Sequence, residues 1–134
     1  MQVLDLCFNT NLVLFKKICY YKLKKDYIML RALDMNSEEF KTEKEKTEKF
    51  VNKVVESKGW KFNEDKEIVD TIIMGLTRNK ILYGKRFCPC FMVEEVDGKF
   101  KSTDDRICPC KPAIEDEIPN KGMCHCGIFI KGDN

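Results

Sequence analysis

The stretch RICPC, Arg106 to Cys110, sets two cysteines one residue apart with a proline between them. Related words stand on either side of it: FCPC at Phe87 to Cys90, and MCHCG at Met123 to Gly127. Six of the eight cysteines therefore fall in three Cys-x-Cys pairs, Cys88 and Cys90, Cys108 and Cys110, Cys124 and Cys126. Cys7 and Cys19 stand alone and read as buried or incidental thiols. Proline fixes φ and removes a backbone donor, so Pro89 and Pro109 stiffen the chain where sulfurs must converge, and either can take a cis bond. This third of the chain lacks long periodic segments and is punctuated by Gly98, Pro109, Pro112, Pro119 and Gly122. Short helices and loops wrapped around a central group fit it better than a sheet does.

Four uses of the six sulfurs are open on spacing. A structural zinc takes four ligands in a closed tetrahedron, and its usual knuckles space two cysteines by two to four residues. Three disulfides suit a small secreted domain. A Cys-x-x-Cys redox motif is absent. A cubane iron–sulfur cluster takes four thiolates and leaves two cysteines, enough for one redox-active disulfide, without saying which four.

Two amphipathic helices precede the cysteines. Asn36 and Ser37 offer N-caps, and Glu38 and Glu39 suit a first turn. Phe40, Phe50, Val51, Val54 and Val55 then return to one face until Gly59 stops the helix, with Trp60 and Phe62 anchoring the turn. Asn63 reads as the next N-cap, Ile68, Val69, Ile72, Ile73 and Leu76 as a second apolar stripe, and Gly84 as its end. Both helices read as core scaffold, and the run from Lys41 to Lys49 as a solvated face.

The chain has 134 residues, 43% hydrophobic and 34% charged, as a one-domain globular protein should be. A net charge of +2 argues against a nucleic-acid binder driven by bulk charge. No apolar run reaches bilayer length, and Leu6 to Phe15 is broken by Asn9, Thr10 and Asn11 without a cleavage site. A cytoplasmic, reducing setting is the expectation, in which clustered cysteines serve metals or redox chemistry. The first 35 residues hold six basic and three acidic side chains, the rest 18 and 19. This marks residues 1–34 as a basic extension, or Met35 as the true start, with the domain proper at 35–134.

The order FCPC, ICPC, CHCG followed by Ile128 to Ile130 resembles the catalytic chain of ferredoxin–thioredoxin reductase. Arg86 and Phe87 before the first pair, Asp104, Asp105 and Arg106 before the second, and Gly122 before the third agree with it. The likeness runs from about Met35 to Ile130. It implies an all-α, compact catalytic chain with a [4Fe–4S] cluster beside a disulfide. Carried over by position, it implies cluster ligands at Cys88, Cys108, Cys110 and Cys124, and a redox pair at Cys90 and Cys126. Ferredoxin would be the electron donor and a thioredoxin-like protein the acceptor. Ferredoxin gives electrons singly and a disulfide needs two, so the cluster would bridge the mismatch while Cys90 attacks the target and Cys126 resolves the mixed disulfide.

His125 is the only histidine and lies between a ligand and a redox cysteine in this scheme, where an imidazole can move protons. Lys85, Arg86 and Lys111 are candidate contacts for an acidic partner, or ordinary surface charges. The thirteen residues between Cys110 and Cys124 exceed the gap in plant and cyanobacterial members, and Lys111 to Lys121 is expected as a surface loop. Plant-type enzymes also carry a small variable subunit. Two rival readings are a zinc-stabilised binding module without catalysis and a cluster-dependent reductase of another disulfide.

Overall fold

The structure, a computed structural model, describes residues 33–133. Cys7, Cys19 and all but the last two residues of the predicted 1–34 segment lie outside the described residues. Helix α1 spans Glu38–Lys58. Ser37 caps it with extended dihedrals, its side chain accepting from the Phe40 amide, and Glu38 and Glu39 favour the positive end of the helix dipole. Gly59 ends it at φ 66°, a left-handed conformation that a residue without Cβ takes freely. Phe40, Thr47, Val51 and Val54 form the buried face.

Strand β1, Lys61–Phe62, leads into helix α2, Lys66–Tyr83. The cap of α2 is Asp65, not Asn63 as expected: the Asp65 carboxylate accepts from the Glu67 and Ile68 amides. The α2 stripe of Ile72, Ile73 and Leu76 packs on α1, and with Val51, Val54, Ile118, Ile128 and Phe129 it builds the core. Each such side chain removed from water contributes about 1.5–3 kcal/mol.

The second half departs from the all-α expectation. Residues Val93–Val96 (β2) and Lys99–Ser102 (β3) form an antiparallel hairpin, registered Val93 with Ser102 through Val96 with Lys99. Asp97 and Gly98 at its tip have φ 51° and 75°, both positive, as the turn that best matches strand twist requires. A second sheet pairs β1 with β4, Phe129–Ile130, antiparallel. The fold is thus mixed, because backbone groups without helical periodicity are satisfied by pairing across short strands.

The predicted loop Lys111 to Lys121 is also corrected. Ala113–Lys121 is a π-helical segment that buries Ala113, Glu117 and Ile118 and ends at Gly122. Its side chains reach the site, so it is no surface loop. Met35–Asn134 is one compact unit. Among the described residues no helix is long and apolar enough to cross a membrane.

Candidate active site

The three cysteine pairs converge by backbone pairing. Phe87 and Ile107 face each other antiparallel, with the Cys88 amide donating to the Arg106 carbonyl and the Cys108 amide to the Arg86 carbonyl at 2.6 and 2.9 Å. The first two pairs are therefore zipped side by side. Asn79, buried on α2, donates to the Phe87 carbonyl at 2.7 Å and ties this zip to the scaffold. A closer tie lies one turn earlier on α2: a Cβ built on Gly75 would stand 2.6 Å from Pro89 Cβ. Only a residue without a side chain lets FCPC approach the helix this far. The Cys108–Pro109 bond is cis.

The third pair is held from the other side. The Cys124 amide donates to the Phe129 carbonyl, and the Gly127 amide closes the CHCG turn on the Cys124 carbonyl. Sheet β1–β4 fixes this turn against α2. Asn63 completes the junction, accepting from the Asp65 amide and donating to the Gly127 carbonyl at 2.8 Å. Phe129 sits between Trp60 and Phe62, with ring centroids at 5.4 and 6.1 Å.

The result is a cavity of about 20 Å³ lined by Cys88, Cys108, Cys110, Cys124 and Cys126 with apolar walls. Cys88, Cys110 and Cys124 are buried, Cys108 and Cys126 half-buried, and Cys90 is exposed outside the lining. All six are free thiols. Among the described residues no three His, Cys, Asp or Glu side chains are arranged around a single ion. The sulfurs flank a shared space instead of meeting at one point.

A family model described as ferredoxin thioredoxin reductase catalytic beta chain matches residues 37–134. The chain belongs to this family. The ferredoxin-thioredoxin reductase catalytic chains of Porphyra purpurea and Pyropia yezoensis are each 33% identical to it over 86 residues, 64% of this chain and 68% and 69% of theirs. That of Guillardia theta is 33% identical over 73 residues, 54% of this chain and 66% of its own. Members of the family are oxidoreductases, which sets aside a binding module without catalysis.

Electrostatics divide the first and third pairs of this reductase-family chain internally. The Cys126 thiol, donating a hydrogen bond, is the main cause holding Cys88 down to about 7, helped by the Cys90 backbone amide and opposed by burial. The same donor, with backbone amides of Phe129, Gly127 and Ile128, holds Cys124 down to about 6. Its sulfur lies 3.7 Å from that of Cys126. Cys126 is pushed up in turn, first because its proton is shared with Cys124 and then with Cys88. Cys90 is raised by partial desolvation of its sulfur and by the charge of Cys88. In each of these two pairs one thiol is thus lowered and its neighbour raised. Cys108 departs from the pattern: burial raises it.

His125 is exposed, its ring 4.9 Å from Phe91 and its backbone amide donating to Glu117 at 3.3 Å. Of the predicted docking cations, Arg86 is structural. It binds Glu43 and Thr47 and lies over Phe50, so it serves the helix core. Lys85 and Lys111 are exposed. Sequence reading missed Gly75, Arg106 as a side-chain donor, and Glu117. Glu117 stands in a run with Glu115 and Asp116, and only helical phase separates the buried carboxylate from its two exposed neighbours.

Proposed function

We propose that this chain reduces thioredoxin-like protein disulfides with electrons from ferredoxin, using Cys90 and Cys126 beside a [4Fe–4S] cluster held by Cys88, Cys108, Cys110 and Cys124. The names of its relatives support the two partners. The observation that carries the rest is geometric: five of the six paired cysteines line one cavity, and Cys90 alone stands exposed outside it. The four proposed ligands, Cys88, Cys108, Cys110 and Cys124, all line it, and Cys126 lies 3.7 Å from Cys124.

The donor set fits the group. Four cysteines line one space with apolar walls, as a thiolate-bound cluster needs, and Arg106 Nε is a buried donor with no partner in the same lining, suited to a sulfur-rich neighbour. When bound, the cluster supplies the one-electron store that lets ferredoxin serve a two-electron reduction. Ferredoxin-type potentials near roughly −400 mV drive reduction of a thioredoxin near roughly −270 mV.

The protein's own part is thiol–disulfide exchange. Cys90, exposed, meets the target. Its thiol loses a proton and attacks one target sulfur; the Cys90–target bond forms, the target S–S bond breaks, and the released target thiolate takes up a proton. Cys126 then attacks Cys90, the mixed disulfide breaks, and the second target thiol leaves. Two electrons and two protons have passed to the target, and Cys90 and Cys126 are joined. Two electrons from ferredoxin and two protons restore the dithiol. In this reading His125, on the Phe91 ring next to Cys90 in sequence, carries the proton. Half-burial keeps Cys126 from competing for the target.

Anaerobically purified protein tests this reading. Four irons and four acid-labile sulfides per chain are expected, with two thiols that appear only on reduction, and with ferredoxin-dependent reduction of a thioredoxin. Iron-free protein that still reduces thioredoxin ends the proposal. A wild-type pH profile and turnover in His125→Ala remove the histidine from it.

A further inference from the structure

Phe91, the residue after Cys90, stands outside the apolar core of the described residues. It is half-buried, and its neighbour Met92 is 75% exposed. The chain is leaving for solvent at the point where the exposed sulfur has to be held. Two anchors flank that sulfur. On one side Pro89 is pressed on Gly75. On the other the Phe91 amide donates to the Cys88 carbonyl at 3.2 Å, and two side chains hold the Phe91 ring. The His125 ring lies 4.9 Å from it between centroids, tilted by 45°. The Arg106 guanidinium carbon lies 4.3 Å from its centroid.

Glu117 closes the circuit. Its Oε1 accepts from Arg106 Nη1 at 2.9 Å and from the His125 amide at 3.3 Å. Contacts therefore run from Phe91 to His125, to Glu117, to Arg106 and back to Phe91. This ring ties together the segments that carry all three cysteine pairs. Within it, the residue after Cys90 touches the residue before Cys126. A contact that joins two chain segments raises the concentration that one sulfur presents to the other. Sulfurs so held join more readily, and the reduction potential of their disulfide falls.

We propose that Phe91 is a positioning residue: its ring, stacked against His125 and Arg106, holds Cys90 within reach of Cys126 and so sets how readily this pair closes. The inference rests on the reading above that Cys90 and Cys126 are the redox pair. In closing, the Cys90–Cys126 bond forms, two thiols lose their protons, and two electrons leave. The target disulfide takes those electrons in turnover, and oxidised dithiothreitol takes them in the test.

The test is the two-electron midpoint potential of the pair in the full-length, cluster-loaded protein. Samples are equilibrated anaerobically in dithiothreitol redox buffers at one pH, the Cys90 and Cys126 thiols are counted by alkylation, and iron is counted in each. Phe91→Ala is expected to make the disulfide about tenfold less stable, about 30 mV less negative. Phe91→Tyr keeps the stack and stays within about twofold of wild type. Phe91→Leu keeps apolar bulk without a ring and retains at least half of the Phe91→Ala shift. His125→Ala moves the potential the same way, and the double variant with Phe91→Ala moves it no further than the larger single change, because both remove one contact. A Phe91→Ala shift below about twofold or toward more negative potential, a smaller Phe91→Leu shift, or additive shifts in the double variant overturns the proposal. If Phe91→Ala does not fold or loses its iron, Phe91→Leu against Phe91→Tyr decides, and equal potentials overturn it. A wild-type protein without two thiols that appear only on reduction overturns the redox-pair reading itself, which is distinct from a pair that titrates alike in every variant.

Discussion

The two halves of the described chain are ordered by different forces. In α1 and α2 the buried residues are mostly Phe, Val, Ile and Leu on one face of each helix, and burial of apolar area holds them. Past Gly84 the buried set includes Cys88, Cys110, Cys124, Ser102, Arg106 and Glu117. There, backbone zips and polar contacts do what apolar stripes do in the helices. Where Phe87, Ile118, Ile128 and Phe129 contribute, they dock the site onto the scaffold. The lesson is that a reactive sulfur cluster cannot be buried in oil alone. Its surroundings must offer donors to thiolates, and such a region takes its order from partners held elsewhere in the chain.

If the halves differ in this way, a change at the exposed sulfur should destroy chemistry and spare the fold. Cys90→Ser is expected to abolish reduction of a protein disulfide, a loss beyond about 100-fold, while stability moves by less than about 0.5 kcal/mol. Wild-type turnover, or a large drop in thermal midpoint, would break the distinction. The converse is Ile72→Ala in the scaffold, where a buried side chain away from the cavity lining is cut back. About 2–5 kcal/mol should be lost in denaturant titration.

If the proposed cluster is held among the cysteines, removing its iron should act on one half. Amide exchange across residues 87–110 and 122–130 should rise by about 100-fold while α1 keeps its protection, since a bound group stabilises the part that holds it. Uniform loss of protection would show that the halves are one cooperative unit.

Gly75→Ala sharpens the seam between them. In a free helix this change gains about 1 kcal/mol. Here the new Cβ would meet Pro89 Cβ and Cγ at 2.6 and 2.8 Å, and overpacking costs about 1–3 kcal/mol. Net destabilisation with slower alkylation of Cys90 is the expected pair of results; a stabilised protein with unchanged alkylation would show that FCPC is not pressed on α2. Asn63→Ala should have the smallest effect, about 1 kcal/mol, for the bond to the Gly127 carbonyl.

Legibility followed the same division. Ser37, Gly59 and Gly84 act as the caps their residue types suggest, because capping is local chemistry. Asn and Asp cap equally well, and here the Asn63 side chain donates to the Gly127 carbonyl, 64 residues from it, while Asp65 caps α2. The hairpin at Asp97–Gly98 is legible in its Asp-Gly pair between Val-Glu-Glu-Val and Lys-Phe-Lys-Ser, a short-range turn signal that the expectation of helices and loops does not use. The segment after Cys110 carries Pro112 and Pro119 and looks like a loop. Its π-helical winding comes from packing Ala113 and Ile118 into the core, which no short-range pattern announces.

By itself the sequence determined two capped amphipathic helices, six paired sulfurs and membership of a reductase family, because spacing, caps and motif words are written within a few residues of each other. Tertiary structure alone decided the mixed fold, which cysteines line the shared cavity while Cys90 stands exposed, and that Arg106 donates to both Glu117 and Cys110. Each of these depends on groups brought together across the chain, where burial and donor geometry, not residue type, determine what a side chain does.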